Sequence, residues 1–170
     1  MLEHCLRVSP PPAAPEKEMI EAFLDWQRAT LLCKLDGVSD EDLRRPGTAS
    51  GLTLLGLVKH LADVERGWFR ETFAGESLPG TWDPGDSGRY WRIEADETTE
   101  DVLSFYRNEV NLAREITGRA GLDDAASGAG PADQTPYSLR WIMFHMIEET
   151  ARHIGHADLL REAIDGQVGE

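Results

Sequence analysis

Four stretches of this chain repeat apolar residues every three or four positions, and none alternates with the period of two that a half-buried strand requires. The clearest stretch is the last, from Ser138 to Ile164. On a helical wheel of about 100° per residue, Leu139, Ile142, Met143, Met146, Thr150, Ala157, Leu160 and Ile164 fall in one arc. Gly166 stops the pattern. A second stretch runs from Thr53 to Phe73, with Leu54, Leu57, Val58, Leu61, Val64, Trp68 and Phe69 as its stripe and Gly75 at its end. The first spans Glu16 to Leu35 and places Ile20, Phe23, Leu24, Leu31 and Leu35 inward before Gly37. The third opens at Thr98 and Asp101, turns Val102, Leu103, Tyr106, Val110, Ala113 and Ile116 inward, and ends at Gly118 and Gly121. Ser39 to Asp42 resembles a capping box and predicts one short helical turn. Four long amphipathic helices predict an all-α four-helix bundle with long connecting loops.

The remaining segments fit that frame. Residues 1–15 are expected to form a flexible lead-in, because Ser9 to Pro15 reads SPPPAAP. Residues 16–170 are expected to form a single domain. Met1 to Pro15 has no apolar h-region, so it does not read as a signal peptide. No apolar run approaches the ~20 residues of a membrane span. Cys5 and Cys33 are too few for a disulfide framework, and Cys33 reads as a small core residue. A cytoplasmic protein is expected. Its net charge of −14, with no basic stripe, argues against nucleic acid and against an anionic membrane surface. A long loop punctuated by Pro79, Gly80, Pro84, Gly85 and Gly88 carries Trp82, Tyr90 and Trp91. Such a loop is usually functional or disordered. Its aromatics would either cover a pocket mouth or anchor the loop to the bundle.

Two polar residues interrupt the apolar arc of the last helix. His153 lands near its middle and Glu149 at its edge, spaced i, i+4, so both project on one side. An ionised glutamate is costly to bury without a partner, so something positive must face it. On the second long helix His60 falls at the margin of the buried arc. Facing helices pack about 8–10 Å apart, which lets a histidine of one meet a Glu/His pair of another. Two imidazoles and a carboxylate suit zinc, nickel or iron(II) better than calcium or magnesium, with zinc the first expectation. Three protein ligands leave a position open, as catalytic metal sites do. His145 continues the ladder His145, Glu149, His153 and competes as a ligand, while His145 and His156 both lie outside the apolar arc and read as groups that line or support the site. The run HMIEETARH is not the HExxH metalloprotease motif, because its two histidines stand eight apart.

The segments LVKHLADVERGWF around His60 and LRWIMFHMIEETARHIGHADLLREAIDG from Leu139 to Gly166 resemble the DinB-like (YfiT-like) superfamily of metal-binding four-helix proteins. The resemblance covers nearly the whole chain from the first helix onward. Many members carry a three-histidine site. Glu149, four before His153, makes this chain similar to the His/Glu/His variant seen in the N-terminal domain of mycothiol-dependent maleylpyruvate isomerases. The resemblance implies His60, Glu149 and His153 as the metal triad. It also implies a divalent transition metal and a low-molecular-weight thiol, such as mycothiol, as cosubstrate. The expected activity is S-transfer from that thiol to a small electrophile. A non-catalytic metal-binding stress-response protein and a metal-assisted hydrolase are the competing expectations. An apolar bundle face could support a homodimer.

Overall fold

The computed structural model describes residues 6–79, 86, 88–128 and 136–169. Trp82 and Cys5 lie outside them. The described residues form an all-α chain, with helices α1 (Glu16–Cys33), α2 (Asp40–Arg44), α3 (Leu54–Glu65), α4 (Thr99–Arg119) and α5 (Leu139–Asp165). A π-helical segment, Arg66–Phe73, continues α3. The four long helices expected from periodicity are present, and the only β feature among the described residues is an isolated bridge between Ala125 and Ser138. The chain divides into two compact units, Met1–Leu57 with His145–Glu170, and Val58–Phe144.

In the first unit, Ile20, Leu24, Leu31 and Leu35 are buried along α1 and the turn that follows it, as the stripe predicted. Phe23 is the exception: it is 44% exposed, because its position is off the inner face shared by Ile20, Leu24 and Leu31. Met146, Ile154, Ala157 and Leu160 are buried on α5. Ser39 starts α2 by accepting a hydrogen bond from the Asp42 backbone N–H, so the short turn is where the capping signal put it. The carbonyls at the end of α1 have no helical partners of their own. The buried Arg161 of α5 supplies two of the needed donors, with Nη1 reaching the carbonyls of Lys34 at 2.9 Å and Asp36 at 2.7 Å. Its Nε also donates to Asp165 at 2.8 Å. Gly37 makes the turn that follows with φ of +73°, a conformation that costs glycine little. Cys33, expected as a small core residue, is half-buried.

In the second unit, Val58, Leu61, Ala62, Phe69, Phe73, Tyr106 and Val110 are buried. The helix expected to run unbroken to Phe73 instead widens at Arg66, where the hydrogen bonding shifts to i→i+5; the Ala74 N–H donates to the Phe69 carbonyl at 3.0 Å. Apolar spacing tolerates both periods, so the sequence does not announce the change. The π-helical segment packs on α4. Across that contact Arg70 donates to both carboxylate oxygens of the buried Glu109, at 3.1 and 3.2 Å, and to Glu76 at 2.7 Å. Helix α4 begins with a complete capping box between Thr98 and Asp101. Trp68 is half-buried in an aromatic group with Tyr137 and Trp141, whose rings stack at 4.2 Å.

Arg161→Ala strips charge-assisted donors from two buried carbonyls. We expect it to lower unfolding stability by about 3 kcal/mol, read from urea denaturation. A loss under a few tenths would show that water satisfies those carbonyls.

Candidate metal centre

Helix α5 needs no special backbone to present its polar pair. The i, i+4 spacing alone brings Glu149 and His153 together, with Glu149 Oε1 3.1 Å from His153 Nε2. The His153 side chain is 9% exposed and that of Glu149 19%, so both are mostly withdrawn from water. Two donors bound to one zinc ion at about 2.0–2.2 Å in tetrahedral geometry would stand roughly 3.4 Å apart. The observed pair is therefore close to the separation that shared coordination requires. Desolvation holds the His153 imidazole below its ordinary pKa, and the Glu149 carboxylate offsets this only in part. A neutral imidazole keeps the lone pair that a metal needs.

The flanking histidines separate into two roles. His156 is exposed, and its Nδ1 lies 3.2 Å from His153 Nδ1, so it holds the ring from the side away from Glu149. A partner on the second imidazole nitrogen is what orients a metal-binding histidine. His145, the competing ligand, has its Nδ1 3.8 Å from Glu148, which also pairs with Arg152. His145 is half-buried and is not among the three residues grouped as able to hold a metal ion.

His60 sits on α3, where Trp91 stacks on its ring at 3.7 Å and 12°. The aromatic loop thus reaches the His60 ring through Trp91. Lys59 and Asp63 flank His60 on the same helix. Lys59 is held by Glu97 at 2.6 Å. Burial pushes the Asp63 carboxyl up to about 6; Lys59, Arg66 and Arg89 pull it down and Glu109 adds slightly to the rise. His60, Glu149 and His153 are the group among the described residues that could hold a metal ion. The donor set, two imidazole nitrogens and one carboxylate oxygen, fits a borderline transition metal. Sequence reasoning missed Asp63, Arg66 and Glu109; their i, i+3 and longer spacings look like a solvated helix face, and only burial distinguishes them.

The all-α fold, with His60 on α3 and the Glu149/His153 pair on α5, agrees with the DinB-like class that the sequence resembles. The family model described as mycothiol S-transferase matches residues 19–166. This chain belongs to that family. Among curated proteins no match is found.

The raised carboxyl of Asp63 makes stability depend on pH. The native state holds a proton there that the unfolded chain, with an aspartate near 3.8, releases earlier. Stability should therefore fall as pH rises from about 4 through about 6 and be level above that. In Asp63→Asn the fall over this window should be smaller, as measured by thermal unfolding across pH. Identical slopes in both proteins would mean that Asp63 titrates normally.

Proposed function

We propose that this protein is a metal-dependent S-transferase that joins a low-molecular-weight thiol, mycothiol by its family, to a small electrophile. The family match over residues 19–166 carries the reading, and the Glu149–His153 pair on α5 supports it. His60, Glu149 and His153 would hold the metal. When bound, the metal lowers the pKa of a coordinated thiol and keeps it as thiolate near neutral pH. The chain supplies the rest. Burial keeps His153 neutral and able to ligate. His156 keeps its ring oriented. Trp91 covers the His60 ring and limits water there. Three protein ligands leave room for the thiol, and we take zinc as the metal, with nickel or iron(II) as alternatives.

The proposed partners are two small molecules, thiol and electrophile, with no nucleic acid or membrane; a net charge of −14 supports the first exclusion. No helix among the described residues is long and apolar enough to cross a membrane. The proposed compartment is the cytoplasm, where small thiols are kept reduced.

Elemental analysis of protein as purified should find about one transition metal per chain. Glu149→Ala and His153→Ala should each lose nearly all of it, and His60→Ala most of it, whereas His145→Ala should keep it. Full metal content in the first three variants would sink the triad. Metal-loaded protein should consume mycothiol together with an electrophile from a broad panel. If neither compound disappears while metal content is full, the S-transferase reading fails and a non-catalytic metal protein remains.

A further inference from the structure

His60 and Trp91 meet inside the second unit, far apart in sequence. Their ring centroids are 3.7 Å apart and their planes differ by 12°. At that separation no water or ligand atom fits between the rings. A parallel stack covers one face of the imidazole, while the ring nitrogens lie on its edge.

The backbone around Trp91 is tied down. The Trp91 and Arg92 N–H groups both donate to the Gly88 carbonyl at 3.1 Å, which closes a turn next to the indole. Lys59, the residue before His60, donates from Nζ to the Arg92 carbonyl at 2.9 Å and to both carboxylate oxygens of Glu97 at 2.6 Å. Glu97 also accepts from the Glu94 N–H at 2.7 Å. Two adjacent residues of α3, Lys59 and His60, thus engage two adjacent residues of the loop, Arg92 and Trp91. The loop cannot slide by one position without losing both contacts.

That register matters because a histidine does little to fix its own ring. The torsion that turns the imidazole about its Cβ–Cγ bond is broad. A metal bonds to an imidazole nitrogen in the plane of the ring, so a freely turning ring aims its lone pair in many directions. Metal-binding histidines usually gain their orientation from a partner on the second nitrogen. His153 has His156 at 3.2 Å in that role. At His60 the indole supplies a restraint of another kind: its flat face accepts the imidazole in one plane.

We infer that Trp91 is a positioning residue for the metal centre, fixing through its stack the plane in which His60 ligates. This deepens the proposed function and rests on its metal triad. Trp91 acts through His60 and touches neither metal nor thiol. The role requires flatness rather than bulk, so an aromatic residue should serve at position 91 and an aliphatic one should not.

The test compares Trp91→Phe with Trp91→Leu in the full chain. Both lose bulk, but only phenylalanine keeps a flat face. Zinc affinity is measured on metal-free protein by competition with a chromogenic chelator. The His60 ring protons are followed by NMR of the same metal-free samples and identified by their loss in His60→Ala. In the wild type the indole ring current should hold these protons upfield of those of the other histidines. Trp91→Phe should keep most of that shift and bind zinc within about threefold of wild type. Trp91→Leu should lose the shift and weaken zinc binding by about tenfold or more. Should Trp91→Leu not fold, Trp91→Met takes its place with the same expectation. Wild-type zinc affinity in the aliphatic variant, an equal loss in the aliphatic and phenylalanine variants, or no upfield shift in the wild type would each overturn the inference. His60→Ala separates this from the triad itself. If that variant binds zinc as the wild type does, the triad fails and the inference with it. If it loses zinc while the aliphatic variant does not, the inference fails alone.

Discussion

Burying an ion-capable pair inside an apolar helix face is the constraint around which the first unit is arranged. Glu149 and His153 occupy positions on α5 where Met146 and Ala157 continue the core. Left alone, a buried carboxylate would cost several kcal/mol. The imidazole 3.1 Å away offsets part of that cost, and His156 secures the imidazole in turn. The pair is a poor stabiliser by comparison with two leucines. With His60 it makes up a donor set of two imidazoles and a carboxylate that could hold a transition metal.

Polar groups elsewhere are buried on different terms. Arg161 is fully used, because it terminates α1 through two carbonyls and pairs with Asp165 on its own helix. Glu109 is likewise satisfied by Arg70 across the contact between α4 and the π-helical segment. Arg66 is used only in part: its Nη2 donates to the Pro79 carbonyl at 3.0 Å, while its buried Nε has no hydrogen-bond partner. Satisfied burial of the kind seen at Arg161 and Glu109 is what lets a charged group hold the fold together.

Much of the architecture was readable from apolar spacing. The long helices, the short capped turn at Ser39 and the Thr98–Asp101 start of α4 all appear where periodicity and capping chemistry put them. Helix ends were legible because glycine at positive φ, as at Gly37, Gly75 and Gly166, has a local cause. Phe23 was misplaced because a three-residue step from Ile20 falls at the edge of the stripe, where sequence cannot say which neighbour covers it. The widening at Arg66 was invisible for a related reason: Phe69 and Phe73 are four apart and are buried under either helical period.

For the candidate site, the sequence by itself determined that Glu149 and His153 share a face, because i, i+4 geometry is a property of the α-helix and of nothing farther away. It also carried the family, since the motif around both helices is a pattern of residue types. What only the tertiary structure decided was the standing of residues whose partners are distant in sequence. His145 and His156 are indistinguishable on a wheel, yet one turns to Glu148 and the other to His153. Trp91 meets His60 across 31 positions of chain. Asp63 becomes a carboxyl with a pKa of about 6 through burial, not through its neighbours in sequence. Local spacing sets which side chains can point together; how much water is left around them is set by the packing of the whole unit.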